Sequence, residues 1–325
     1  MKAIKFFAIS AMAAAMITSC SSEDELSQSN YPSDNIIRVT AGVNNAKTRA
    51  EGAGTEMKND FSLTIVNKNA PKYTYTDKVF SKSSGDWACS ETLLWQNSET
   101  TVDIAAFAPA QTGKFNGVYA EGSIQPITYS VADDQSTKSD NNDLLYYYAK
   151  DFNPGTSLVN KKLSIQFNHA FCMIDINVTL GTEFNKPSIP TTSPIVKVTL
   201  GGTKIAANVN VTNAASVVTA SETAAATDIT TTQGTFDKAA DPEANAKSHF
   251  SCIAIPQTVG ANTFKVSLMT AGKRYEWTSA DPVELKSGYR YTLNLSMGND
   301  VVLLKGGGIT ATKWTEISGG TLETE

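Results

Sequence analysis

Leu163-Ser164-Ile165-Gln166-Phe167-Asn168-His169-Ala170-Phe171-Cys172-Met173-Ile174-Asp175-Ile176-Asn177-Val178-Thr179-Leu180 carries apolar side chains at nearly every second position. A pleated backbone sends successive side chains to opposite faces, so period-two alternation marks a strand with one buried face. The stretch is too long for one ordinary strand and is expected to break in two near Asn168. Cys172 shares parity with Ile174, Ile176 and Val178, which makes it a buried free thiol on the apolar face. Phe167, Cys172, Ile174 and Ile176 are expected inside.

The same alternation recurs outward in both directions. Ile36–Val43 puts Ile37, Val39, Ala41 and Val43 on one side and Arg38 and Thr40 on the other. Further strands are expected at Phe61–Val66, Tyr73–Phe80, Val102–Phe107, Ile124–Val131, Ile195–Leu200, Ile205–Val211 and Phe250–Ile255. The series ends with Phe264–Met269, Arg274–Thr278, Tyr289–Met297, Val301–Leu304 and Ile309–Trp314. Turn residues such as Ser84-Gly85-Asp86, Asn153-Pro154-Gly155 and Ser287-Gly288 separate them. No long segment shows a capped 3.6-residue period. Many short strands with regular turns indicate an all-β chain built of β-sandwiches. Gly181 to Pro194 carries three prolines and interrupts the strand pattern, so it is expected to link two domains. The expected division is a leader over 1–19, a tether over 20–35, and sandwich domains over 36–183 and 184–325. Ala214–Thr232 is rich in alanine, serine and threonine and reads as a loop or weak edge strand.

Composition excludes several functions. The 325 residues hold 27 basic and 32 acidic side chains, a formal charge of −5, with no basic run. Removal of a leader containing Lys2 and Lys5 makes the chain more acidic still. Nucleic acid is therefore not an expected partner. Two histidines and no Cys-x-x-Cys leave no zinc site, and no cofactor is expected. His169 and His249 have no cysteine or glutamate at ligand spacing and read as structural. Asp133-Asp134 and Asp140-Asn141-Asn142-Asp143 are densely acidic, but Leu144 stands where a calcium loop needs an oxygen ligand. No Gly-x-Ser-x-Gly elbow occurs. Gly306-Gly307-Gly308 precedes a strand rather than a helix, so it makes no phosphate cradle. Catalysis is not expected. Tyr146-Tyr147-Tyr148 either half-buries in a sheet or exposes a pair able to stack on sugars.

The amino terminus is more informative. Lys2 and Lys5 precede an apolar run, Phe6–Ile17, of signal-peptide length and too short to span a bilayer. Ile17-Thr18-Ser19-Cys20 follows and resembles the bacterial lipobox, with cleavage after Ser19 and lipidation of Cys20. Two or three acyl chains, at about 0.8 kcal/mol per buried methylene, anchor a protein stably. The acidic cluster Ser21–Glu25 resembles the export signals of surface lipoproteins, or serves as a solvated spacer. Cys89, Cys172 and Cys252 remain in the mature chain, an odd number whose pairing the spacing leaves open.

Asp143-Leu144-Leu145-Tyr146-Tyr147-Tyr148-Ala149, followed by Phe167-Asn168-His169-Ala170, resembles the fimbrillin-like family, the lipoprotein pilins of type V fimbriae and their relatives. Leu285–Leu295 and Ile309–Trp314 add to the likeness, as do the lipobox and Lys47-Thr48-Arg49-Ala50. The match is weak between Gly201 and Lys247. The resemblance implies two transthyretin-like β-sandwich domains, display on the outer-membrane surface, and assembly with other pilin subunits by strand exchange. It further implies adhesion to a host or bacterial surface receptor. In the family a protease cuts after an arginine behind the first strand. Here Asn44–Asp60 is polar, with Gly52 and Gly54, and Arg38 lies inside a strand, so Arg49 is the cleavage site the resemblance selects. Val301–Ile317, with its apolar stretches around the triple glycine, is the expected donor segment. The competing function is a non-polymerising surface lipoprotein that binds glycans or a partner protein. If Cys20 carries the lipid, Cys20→Ala abolishes labelling by a fatty-acid analogue and releases the protein from membranes. Unchanged labelling refutes that assignment.

Overall fold

The computed structural model describes residues 30–44, 55–57, 59–113, 124–137, 142–299, 301–305 and 308–314. The chain is all-β. The strands of its first part are β1 (Val39–Val43), β2 (Thr55–Glu56), β3 (Phe61–Val66), β4 (Tyr75–Ser83) and β5 (Asp86–Cys89). There follow β6 (Val102–Ala108), β7 (Ile127–Ser130), β8 (Leu145–Phe152) and β9 (Leu163–His169). β10 (Cys172–Leu180), β11 (Ile195–Gly201), β12 (Ala206–Val209), β13 (Val218–Ala220) and β14 (Ile229–Thr230) come next. Then come β15 (Thr232–Asp237), β16 (Lys247–Ala254), β17 (Gln257–Val259), β18 (Lys265–Thr270) and β19 (Arg274–Thr278). The last are β20 (Val283–Leu285), β21 (Tyr289–Met297), β22 (Val302–Leu304) and β23 (Thr310–Lys313).

The first sheet runs β2-β1-β5-β4-β3-β6-β8-β9, and β1 also pairs with β9, so the sheet returns on itself as a closed ring. Alternation reveals that one face is buried; it does not reveal whether two edges meet, and the closure was not legible in sequence. Inside the ring Phe61 stacks on Phe80 at 5.3 Å and meets Phe167 edge-on at 5.5 Å. Ile37, Val39, Leu63, Ile65, Ile104, Leu163 and Ile165 complete this core. β3 and β6 are buried along their whole length. Their second face supports the other core, which takes Val66, Ala105 and Phe107. A strand covered on both faces reads as a continuous apolar run rather than an alternating one, which accounts for Ile104–Ala108.

The second core is organised around β10. β10 runs antiparallel to β16, with Cys172 opposite Ala254, and parallel to β21, with Ile174 opposite Tyr291. Cys172, Ile174, Ile176, Val178 and Leu180 are all fully buried. They pack against the apolar faces of β11 and β18 in the sheet β14-β11-β18-β19. The wet face of β10 carries Asp175, paired with Arg290 at 2.6 Å, and Asn177, which donates to Asn294 at 3.0 Å. Burial pushes the Asp175 carboxyl up, opposed by the Arg290 charge. β7 lies between β6 and β8 in sequence yet pairs with β12. Gln135, just beyond it, is buried and clamps both backbone groups of Ile253, at 2.9 and 2.8 Å.

The break in Leu163–Leu180 falls at Ala170-Phe171, two residues beyond Asn168. Phe167 enters the first core, whereas Cys172, Ile174 and Ile176 enter the second. Strand membership therefore changes at Ala170-Phe171, ahead of the proline-rich 181–194 stretch. That stretch joins β10 to β11, which both contribute to the second core. Prolines interrupt a ladder wherever the chain turns, and here the turn lies within one core. Ala214–Thr232, read as a loop or weak edge strand, holds β13 and β14, each at the edge of its sheet, and an edge position explains the weak alternation. A charge placed inside β10 tests the core. Ile174→Lys buries an unpaired ammonium and is expected to cost more than about 4 kcal/mol. A thermal midpoint near that of wild type excludes this packing.

Candidate functional site

β1 is held unequally on its two sides. Towards β9 it makes five registered pairs, Val39↔Leu163 through Val43↔Phe167. The Leu163 N–H donates to the Arg38 carbonyl at 2.8 Å, and the Asn44 N–H to the Phe167 carbonyl at 2.7 Å. Asn44 Nδ2 donates to Asn168 Oδ1 at 2.9 Å. Towards β5 there is one pair, Val39↔Trp87. The start of the segment is pinned by Ile37 N–H to the Leu93 carbonyl, 2.9 Å, and Trp95 N–H to the Asn35 carbonyl, 2.8 Å. β2 then covers Gly42 and Val43. Ile37, Val39 and Val43 are buried in the ring and Ala41 is half-buried, which is the parity read from sequence. Burial of the three larger side chains is worth on the order of 5 kcal/mol.

Arg38 projects outward from this strand. Its guanidinium forks onto Asp34, with nitrogen–oxygen distances of 3.0 and 2.6 Å. The guanidinium holds the Asp34 carboxyl well below the usual carboxylate range, helped by the Ile36 N–H. The Arg38 carbonyl is committed to β9. Arg49 lies outside the described residues, on the connection between β1 and β2, and so do Ser19 and Cys20.

The other terminal segment lies on β21. β22 pairs with Leu295–Met297 and β23 with Tyr289–Thr292, both antiparallel along the edge of β21 away from β10. All four β23 side chains are exposed, whereas Trp314 immediately after it is buried. The indole stacks on the His169 imidazole, ring centres 3.8 Å apart and planes 12° from parallel. His169 Nδ1 lies 2.6 Å from Asp143 Oδ2. The Trp314 backbone N–H donates to the Gly288 carbonyl, 2.7 Å, and the Gly288 N–H to the Phe171 carbonyl, 2.8 Å. Gly288 has φ +69°, the left-handed region that favours glycine. Ser287 Oγ donates to the Ala170 carbonyl at 2.7 Å.

Asp143 is thus the partner of a buried histidine rather than part of an acidic loop. His249 is also partnered, by Asn177 at 2.8 Å and Asp237 at 3.2 Å. Among the described residues no group of three or more His, Cys, Asp or Glu side chains is arranged to hold a metal ion. Tyr146 and Tyr148 pack on the second core and Tyr147 on the first, so none of the three is exposed. Sequence reasoning treated Asp143, His169 and Trp314 separately. Their presence in the quoted family-like segments was a signal that could have joined them.

An all-β chain with two apolar cores, whose first and last strands among the described residues close a seam and cover an edge, is the class defined by these features. The chain belongs to the fimbrillin-like family, whose profile matches residues 48–314. No curated protein matches the sequence. The structure is similar to a Bacteroides ovatus protein proposed to act in cell adhesion, with a TM-score of 0.62 and 16% identity. That alignment covers 87% of this chain and 99% of the other. A second protein of the same proposed role, from Bacteroides uniformis, aligns with a TM-score of 0.53 and 15% identity, covering 87% and 100%. At these identities the likeness establishes the fold.

The three described cysteines are free thiols. Cys172 and Cys252 lie on neighbouring strands in diagonal register and are buried, and burial pushes both thiols well up. Cys89 is half-buried. Since the thiolate is the reactive form, an alkylating reagent is expected to reach Cys89 in native protein and the other two only after denaturation. Peptide mass spectrometry checks this, and native labelling of Cys172 contradicts its burial.

Proposed function

We propose that the protein is a non-enzymatic subunit of a surface fimbrium that serves adhesion. In this reading it is exported as an outer-membrane lipoprotein on Cys20, matured by cleavage after Arg49, and assembled by strand exchange with other pilin subunits. The two cores are taken as its two domains. Family membership supports a pilus-associated role. The observation that carries the mechanism is the asymmetric seam of β1, five pairs with β9 on one side and, on the other, one with β5 and two with the short β2.

Physical chemistry supplies the rest. A strand that leaves a closed ring exposes an apolar trough and two unpaired backbone edges, and a donor strand satisfies both at once. Until it leaves, β1 fills the trough and prevents premature assembly. Cleavage after Arg49 severs β1 from β2, so that β1 is retained by its own contacts alone. Arg38 is a poor alternative, because a protease binds its substrate extended and accessible, while Arg38 has its carbonyl in the ladder and its guanidinium on Asp34. The segment Val301–Ile317 is the proposed donor.

Arg49→Ala in the native host is expected to accumulate as a full-length monomeric lipoprotein, with no fimbriae by electron microscopy. Mass spectrometry of surface-sheared wild type should find chains beginning at Ala50. A variant that still matures at Ala50 or still polymerises overturns the cleavage mechanism. A wild type that stays full-length and monomeric favours a non-polymerising surface lipoprotein instead.

A further inference from the structure

We infer that Trp314, stacked on His169 with Asp143 behind the imidazole, is the catch that keeps the last strand seated on β21 in the unassembled subunit. Its bearing on assembly rests on the strand-exchange reading above; the catch itself does not.

Thr310, Ala311, Thr312 and Lys313 are all exposed, so the strand buries no side chain of its own. A short edge ladder exchanges hydrogen bonds with water for hydrogen bonds with β21 and loses backbone entropy in doing so. An isolated edge strand of this kind frays. What holds it must lie at its ends. At the near end Ile309 is half-buried against the second core. At the far end Trp314 is buried, the largest apolar surface the segment removes from water.

The seat is built, not incidental. Its floor is an imidazole whose orientation is fixed by the 2.6 Å contact with Asp143. Its wall is the Ser287-Gly288 turn, which receives the Trp314 N–H and is itself bonded to Ala170 and Phe171. Ala170 in turn donates to the Leu144 carbonyl, next to Asp143, at 2.8 Å. The seat therefore draws on the start of β8, the end of β9 and the entry to β21. Trp314 gathers all three, its indole on the imidazole and its backbone N–H on the turn.

The test is hydrogen–deuterium exchange on the full-length, uncleaved chain. Trp314→Ala should lower protection of the 310–313 amides by about tenfold or more, while β10 keeps its wild-type protection as proof that the core is intact. Trp314→Phe, which retains a stacking ring, should restore much of it, and His169→Ala should reproduce the loss. Unchanged protection of 310–313 in Trp314→Ala overturns the catch, as does a wild type in which those amides are already unprotected. With the catch open, polymerisation of cleaved subunits should accelerate. If 310–313 loosens and polymerisation does not respond, the catch stands and the donor reading of this segment is what fails. Faster polymerisation with 310–313 still fully protected overturns the catch.

Discussion

The parallel ladder between β1 and β9 is the contact on which the first core depends. A closed ring has no edges, and it stays closed only while one particular pair of strands holds. Here that pair is five residues long on each strand. Parallel hydrogen bonds are slanted and slightly weaker per residue than antiparallel ones. The other flank of β1 offers a single pair to β5 and two to the short β2, so β1 relies largely on Ile37, Val39 and Val43 to stay in place. The side chains that complete the core are therefore the side chains that close the ring. Removing them costs the core its filling and the sheet its closure together, and a replacement strand must supply both.

β9 has a second duty. Its residues up to Phe167 serve the ring, Asn168 meets Asn44, and His169 carries Trp314. Three residues later Cys172 opens the central strand of the second core. The chain crosses between cores with no linker, because Ala170 and Phe171 are fully buried and their backbone groups are taken by Leu144, Ser287 and Gly288. A buried crossover must have its polar groups paired, and Leu144 and the Ser287-Gly288 turn supply the partners. β6 and β8 extend this sharing by packing one face on each.

Most of the strands were legible because one wet face leaves a period of two. The parity of Ile37, Val39 and Val43 and of Cys172 to Leu180 could be read directly. What escaped the sequence shares one physical cause, namely that alternation is local. It reports neither partner nor edge, so ring closure by β1 and the pairing of β7 with β12 were invisible. It also fails where both faces are covered, as in the three tyrosines of β8. The position of the core change was obscured because prolines are conspicuous and a buried two-residue crossover is not. Asp143, His169 and Trp314 meet only through tertiary structure. No spacing rule joins them.

That convergence bears on what the motifs mean. Asp143-Leu144, Phe167-Asn168-His169-Ala170, Ser287-Gly288 and Trp314 are scattered along the chain and assemble at one place, the join between the cores. Each contributes a contact that neither core makes alone: a carboxylate to an imidazole, an imidazole face to an indole, a hydroxyl to a crossover carbonyl. Such residues are constrained by the fold's own geometry, whatever the protein attaches to. A chain can keep all of them and vary its outward surfaces freely, since Thr310–Lys313 and the wet face of β19 touch neither core. The motifs thus identify an architecture, the join between the two cores and the contact that seats β23 on β21.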